Sequence, residues 1–134
     1  MGWVEKHIRL YVLLVSVLLC GNPVYAEDKV KIAVAAEQRI LPSDVSRMAA
    51  RSPHFLVFDG NGKLLDAVDN PYKEAGRRTG SLVAEFLARE GVHLIVAGQF
   101  GEKMIQALER EGIRHLEFRG GVEEAVKNIV GCEN

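Results

Sequence analysis

Two adjacent arginines followed by a hydroxyl and a glycine, Arg77-Arg78-Thr79-Gly80, form the clearest binding pattern in the chain. An apolar stripe of helical period follows them, which places the arginines at the start of a helix. Guanidinium groups and the N–H groups of a helix start suit a carboxylate, a phosphate or an anionic metal cluster. The alternative is a helix cap formed by Thr79 or Ser81, with both arginines in water. The residue types leave both interpretations open.

A second group of candidate contacts combines a thioether with a turn between two glycines. Met48 offers a soft sulfur that suits copper(I) or haem iron, although a lone methionine more often packs in a core. Gln99 and Phe100 lie between Gly98 and Gly101, just before another helical stripe. They would contact a ligand there, or Phe100 would close the core instead.

The elements that must position these residues centre on one strand–turn–helix unit. Residues 94–97 form a short continuous apolar run, typical of a central strand that is covered on both faces. Gly98 and Gly101 bracket a turn in which a backbone without Cβ bends sharply or approaches a neighbour closely. The helix after the turn ends at Gly112, a suitable residue for a helix C-terminus.

The remaining elements predict an α/β domain. Apolar runs typical of strands cover residues 30–35, 55–58, 64–68 and 114–118. Helical stripes precede Gly91 and follow Gly121. The turn over residues 59–62 is a hairpin signal, which makes the second strand antiparallel to the third. Because the other strands alternate with helices, the sequence predicts a five-stranded mixed sheet with helices on both faces.

This topology brings four connections to one edge of the sheet. They are residues 36–53, 70–81, 98–101 and 119–121, which meet at the carboxyl ends of the parallel strands. Ligands of open α/β sheets bind outside those ends. We therefore expect the binding site at this carboxyl edge.

Length, charge and spacing exclude several other classes of protein. A chain of 134 residues with 48% hydrophobic content suits one domain with a substantial core. Its formal net charge of −1 gives no bulk electrostatic attraction to nucleic acid. No Ser-His-Asp, Cys-His or zinc-ligand spacing indicates a catalytic centre. We therefore assign no catalytic residue and expect a protein that is not an enzyme.

The first 26 residues have the pattern of a secretory signal. Lys6 and Arg9 precede an apolar run over residues 10–20, and small residues up to Ala26 suit a signal peptidase. The run is shorter than the ~20 residues of a membrane-spanning helix, so an uncleaved anchor is the lesser alternative. The domain then covers residues 27–134 and keeps one cysteine, Cys132. We expect it to be periplasmic or secreted, with no membrane contact except through the signal.

The domain resembles the dinitrogenase iron-molybdenum cofactor biosynthesis family, the small carrier domains of nitrogenase assembly. The matching residues run in order from residue 29 to residue 130: Lys31-Ile32-Ala33-Val34, Val45-Ser46 with Arg51, residues 55–59, Asn70-Pro71, Gly91-Val92, Ala97-Gly98 with Gly101, Ala107-Leu108, Glu111-Gly112-Ile113 and Val122-Glu123-Glu124-Ala125. The resemblance implies a three-layer ribonuclease H-like fold that binds an iron–sulfur or iron–molybdenum type cluster. A nuclease of that fold would need a carboxylate on the first strand, and residues 30–35 contain none.

Two departures from the family bear on the metal chemistry. Met48-Ala49-Ala50 replaces the family's His-Phe-Gly, and Arg77 replaces a family histidine. Imidazole is a good ligand for iron, whereas a thioether is weak and a guanidinium cannot coordinate a metal. The resemblance thus implies the fold of this chain, but not one particular cofactor.

We expect an exported binding domain that holds an anionic metal cluster or a small anionic ligand at the carboxyl edge. The candidate contacts are Ser46, Met48, Arg51, Arg77, Arg78, Thr79, Gly80, Gly98, Gln99, Phe100 and Gly101. The alternative is a periplasmic protein-interaction or sensing module that kept the fold and lost cofactor binding.

The export signal yields the first testable prediction. Because the positive residues, the apolar run and Ala26 make a complete signal, the mature protein should begin near Glu27. N-terminal sequencing of the protein from its own cells measures this. A membrane-bound form that still begins at Met1 would contradict it.

Overall fold

A computed structural model describes residues 30–131 of the protein. Its elements, in chain order, are β1 (Lys31–Ala36), β2 (His54–Asp59), β3 (Leu64–Asp69), α1 (Thr79–Arg89), β4 (Leu94–Ala97), α2 (Glu102–Arg110), β5 (Arg114–Glu117) and α3 (Val122–Gly131). A 3₁₀ turn over Gly76–Arg78 leads directly into α1. The predicted signal over residues 1–26 and Cys132 lie outside the described residues.

The strands form one sheet in the order β3-β2-β1-β4-β5. β1, β4 and β5 pair in parallel, whereas β2 runs antiparallel to both of its neighbours. The α/β class with a five-stranded mixed sheet is therefore confirmed. The register pairs Ala36 with His54 and His54 with Asp69, so the end of β1, the start of β2 and the end of β3 lie side by side at the carboxyl edge.

The two faces of β1 are buried in different ways. Ile32 and Val34 point into one core, and Ala33 and Ala35 into the other, as their alternation predicts. Residues 32–36 are all buried, because β1 lies between β2 and β4 and has helices above and below it. The small alanine side chains leave room for helices on their face of the strand.

Helices cover both faces of the sheet, but unequally. On the alanine face, α1 contributes Val83 and Leu87, and α2 contributes Met104 and Leu108. On the other face, α3 packs with Val122, Ala125 and Val126 against β1, β2 and β4. Two helices thus lie on one face, and on the other face α3 alone is found within residues 30–131.

Within those residues, no helix is both long and apolar enough to cross a membrane.

The central strand generates a stability prediction. Ile95 lies in β4 with none of its surface exposed, so Ile95→Ala removes a buried side chain and leaves a cavity. We expect the free energy of unfolding to fall by about 2–5 kcal/mol in a urea titration. Ile40→Ala is the control, because Ile40 is 73% exposed and should change stability by less than about 0.5 kcal/mol. Equal losses in the two variants would contradict the central position of β4.

Candidate functional site

The carboxyl edge is built around the crossing loop, residues 37–53, which runs from β1 over the end of β4 and back to β2. The N–H of Ser46 donates to the carbonyl of Ala35 at 2.7 Å, and the N–H of Gly98 donates to the carbonyl of Ser46 at 2.9 Å. Slightly further on, the N–H of Ala49 donates to the carbonyl of Gln99 at 3.1 Å. These bonds hold the loop against the ends of two parallel strands.

Gly98 makes this contact sterically feasible. A Cβ at this position would lie 2.9 Å from the carbonyl oxygen of Arg47 and 3.0 Å from its Cα, and both are backbone atoms. Gly101 is different, because a Cβ there meets nothing within 4 Å and its φ of −72° suits any residue. Of the two turn glycines, close approach therefore explains Gly98 alone.

A buried asparagine joins the loop after β3 to the crossing loop. Asn70 is 4% exposed, and its side-chain amide donates to the carbonyls of Ala50 and Ser52, both at 2.9 Å. Its side-chain oxygen accepts from the N–H of Tyr72, also at 2.9 Å. The sequence indicated only that a connection begins at residue 70, because a local pattern does not show which distant carbonyls a side chain reaches.

The last connection reaches the same edge. The N–H of Val45 donates to the carbonyl of Gly120 at 2.8 Å, and the N–H of Val122 donates to the carbonyl of Ser43 at 2.9 Å. The crossing loop therefore contacts the connections that follow β3, β4 and β5. The predicted meeting of four connections at the carboxyl edge is confirmed.

The start of α1 differs from one of the two interpretations drawn from the sequence. No side chain caps the helix, so a cap by Thr79 or Ser81 is wrong. Instead, the Thr79 hydroxyl donates to the carbonyl of Gly76 at 2.7 Å, and the Thr79 N–H bonds the same carbonyl. The 3₁₀ turn thus uses an N–H group that we expected to face a ligand. Arg77 and Arg78 remain exposed on that turn.

Packing explains two further candidate contacts. A Cβ on Gly80 would lie 3.0 Å from the Cβ of Met104, so this glycine lets α1 approach α2 closely. Phe100 is 6% exposed, and its ring lies edge-on to the His115 ring with centroids 5.0 Å apart. Phe100 therefore closes the core, which is the second of the two roles that the sequence allowed.

Met48 lies at the surface rather than in the core. Its side chain is 37% exposed, and its backbone forms a parallel bridge with Gln99, which is also exposed. The packing interpretation of Met48 is therefore wrong. The structure brings Met48 and Gln99 together at the edge where the crossing loop meets the glycine turn.

The candidate contacts thus fall into two sets. The members that are buried or used in packing are Ser46, Thr79, Gly80, Gly98 and Phe100. The members exposed at the carboxyl edge are Met48, Arg51, Arg77, Arg78, Gln99 and Gly101. The first set shapes the edge, and the second set can reach a ligand.

Positive charge is available at this edge. Ion pairs within residues 30–131 join Asp69 to Arg39 at 3.0 Å and to His54 at 2.8 Å. Arg47, Arg51, Arg77 and Arg78 take part in no ion pair in this part of the chain, and all four are exposed. Sequence reasoning overlooked Arg47. This residue comes directly after Ser46, whose carbonyl accepts from the N–H of Gly98.

Asp69 has its charge stabilised by its neighbours. The hydrogen bond from the His54 ring, helped by the charge of Arg39, lowers the pKa of Asp69 below its usual value. Asp69 thereby links the start of β2 to the early part of the crossing loop, where Arg39 lies. The sequence offered no signal for this three-residue cluster, because its members are 15 and 30 residues apart.

The donor set does not form a metal-coordination site. Within residues 30–131, no group of three or more His, Cys, Asp or Glu side chains could hold a metal ion. Met48 adds one thioether, and the guanidinium of Arg77 cannot coordinate.

Comparison with known proteins identifies the family. The family model described as dinitrogenase iron-molybdenum cofactor matches residues 28–131. The chain belongs to this family. The resemblance drawn from the sequence is therefore confirmed. No curated protein matches the chain.

Solved structures share the fold of this family member. The apo form of the orange protein from Desulfovibrio gigas is 28% identical, with a TM-score of 0.71 over 77% of this chain and 88% of that one. A putative NifB protein from Thermotoga is 25% identical, with a TM-score of 0.63 over 76% and 87% of the two chains. A putative dinitrogenase from Methanocaldococcus jannaschii, 16% identical with a TM-score of 0.52 over 77% and 89%, supports the fold alone.

The glycine turn offers a matched pair of substitutions. Gly98→Ala forces a Cβ against the backbone of Arg47, so we expect a loss of about 1–3 kcal/mol in the free energy of unfolding, the usual cost of overpacking. Gly101→Ala adds the same group in open space and should change stability by less than about 0.5 kcal/mol. Chemical denaturation of both variants measures the difference. Similar losses of stability in the two variants would show that the turn conformation requires glycine, rather than the close approach of Gly98 to the backbone of Arg47.

Proposed function

We propose that this protein is an exported, non-enzymatic carrier domain that holds an anionic metal cluster, or a small anionic ligand, as cargo at the carboxyl edge of its sheet. The observation that carries the proposal is the meeting of exposed arginines at one edge without ion-pair partners in residues 30–131. Arg47 and Arg51 come from the crossing loop, and Arg77 and Arg78 come from the start of α1. Membership of the iron-molybdenum cofactor family supports a cluster as the cargo.

The proposed mode of binding is electrostatic rather than coordinative. Arginine donates several N–H groups in a fixed planar arrangement and forms charge-assisted hydrogen bonds to oxyanions. A cluster with its own sulfide, thiolate or carboxylate ligands presents negatively charged hydrogen-bond acceptors on its outside. Met48 and Gln99 lie side by side at the surface and would contact the cargo through a polarisable sulfur and an amide.

The start of α2 adds a further source of attraction for an anion. Gly101 precedes the first turn of this nine-residue helix, and no side chain caps it. The first N–H groups of a helix and its dipole favour negative charge nearby. Gly80 packs α1 against Met104 in that same turn, so the starts of the two helices lie together.

Three predictions from the sequence belong to this proposal. The protein is exported by the signal over residues 1–26, it catalyses no reaction, and its sheet with helices on both faces is a three-layer ribonuclease H-like fold. The packing of α1 and α2 on one face and α3 on the other supports the three-layer description. A carrier needs no catalytic residue, because its work is to bind and release.

A protein-interaction or sensing module is the second candidate function. One observation favours it: Ile40, at the tip of the crossing loop, is 73% exposed. Burial of this apolar side chain against another protein would favour association. The two candidates differ in whether the carboxyl edge binds an anion.

Charge reversal at the start of α1 tests the carrier function. Arg77→Glu with Arg78→Glu replaces two donors by like charge, so we expect the affinity for an anion to fall about 100-fold or more, since a hydrogen bond to a charged group contributes about 1.5–3 kcal/mol. Stability should change little, because a helix start tolerates negative charge. Calorimetric titration with molybdate, citrate and a thiolate-ligated iron–sulfur cluster measures the affinity.

The matched control places the same charge change at the opposite edge of the sheet. Arg110 ends α2 and Arg114 begins β5, and both are exposed. Arg110→Glu with Arg114→Glu should leave anion affinity within about twofold, because the charges then lie away from the carboxyl edge. An equal loss of anion affinity in both double variants would indicate that the anion is attracted by the net charge of the protein alone. Failure of the wild type to bind any of the three anions would favour the interaction module.

A further inference from the structure

A large groove lies on the α3 face of the sheet. Its volume is about 1020 Å³, and it runs between α3 on one side and the first half of the crossing loop on the other. Phe58 lies at its floor, and Asn61 and Gly62 of the β2–β3 turn close one end. None of the candidate contacts for an anion lines it.

The groove exists because one helix cannot cover this face of a five-stranded sheet. α3 packs on β1, β2 and β4, and a Cβ on Gly62 would lie 3.3 Å from Val126, so the β2–β3 turn abuts the helix. The outer part of the face, over β2 and β3, has no helix above it in residues 30–131. Leu64 pairs with Phe58 on this side and is 38% exposed.

The crossing loop forms the second wall of the groove, and hydrogen bonds within the loop hold its first half together. The N–H of Glu37 donates to the carbonyl of Asp44 at 3.1 Å, and the N–H of Gln38 donates to the Ser43 hydroxyl at 3.0 Å. The Arg39–Asp69 ion pair ties this wall to the end of β3. Leu41 and Pro42 line the groove, and the exposed Ile40 precedes them.

The two walls carry the same charge. Glu37 and Asp44 line the groove from the loop, and Glu123 and Glu124 line it from α3, against the single base Lys127. The groove thus combines an apolar floor with a negative rim. A partner that fits it has an apolar face flanked by positive residues.

We propose that this groove is a docking site for an amphipathic α-helix of a partner protein, with basic residues flanking its apolar stripe. A helix fits better than a strand because one wall is a helix and the loop wall already uses backbone hydrogen bonds of its own. A helix satisfies its own backbone groups and needs only an apolar groove.

Defined peptides test the proposal on the intact mature protein. We would use a 14-residue, side-chain-crosslinked helix of Leu and Lys with the leucines on one face, and its Leu/Glu counterpart. Fluorescence anisotropy should show binding of the Lys peptide and at least tenfold weaker binding of the Glu peptide. Amide chemical shifts should move at Asn61, Gly121 and Lys127, which line the groove, rather than at Gln99.

Variants separate the groove from general acidity. Glu37→Lys with Glu123→Lys reverses one charge on each wall and should weaken the Lys peptide at least tenfold. Glu109→Lys with Glu111→Lys makes the same net change around the end of α2, outside the groove, and should alter binding less than twofold.

Several outcomes would overturn the proposal. Equal binding of the two peptides, equal effects of the two double variants, or shifts confined to the carboxyl edge would each remove the groove as the docking site. Sedimentation equilibrium tests whether a second copy of the protein fills the groove instead. If the wild type is a dimer and the Glu37→Lys, Glu123→Lys variant is a monomer, a second copy is the occupant. Thermal melts of every variant exclude loss of fold as the cause of weak binding.

Discussion

The close approach of the crossing loop to the end of β4 is the constraint on which the rest of the molecule depends. Gly98 allows it, because any side chain there would collide with the backbone of Arg47. With the loop fixed at this point, Met48 comes beside Gln99, and the arginines of the loop reach the edge that Arg77 and Arg78 also reach. The first half of the same loop extends to the other side and becomes a wall of the groove.

Local patterns in the sequence predict most of the fold. The apolar run over residues 94–97 matches β4, because a central strand is covered on both faces. The alternation in β1 gives the correct faces, because side chains of a strand point to its two sides in turn. The hairpin signal places β2 and β3 correctly as neighbours. These features need no knowledge of distant residues, which is why a single sequence is sufficient for them.

The site is less predictable, because its contacts join residues that are far apart in the chain. Asn70 bonds carbonyls that lie 18 and 20 residues before it, and Gly80 faces Met104 in another helix. In the sequence, Gly80, Gly98 and Gly101 look alike, although the first two allow close packing and the third lies in open space. The exposure of Met48 likewise depends on how the crossing loop is held, which no local pattern encodes.

If the proposed function holds, charge is what lets this chain differ from its family at ligand positions and still carry an anion. Coordination requires particular donor atoms at fixed distances, and Met48 and Arg77 stand where the resemblance implies histidines. Electrostatic attraction depends on the sum of charges near a surface and tolerates changes in the position of each one. The crossing loop contributes arginines to the carboxyl edge and acidic residues to the groove, so the proposed anionic cargo and the proposed basic partner would be drawn to different surfaces. Because none of the candidate anion contacts lines the groove, the proposed cargo and the proposed partner would not compete for residues.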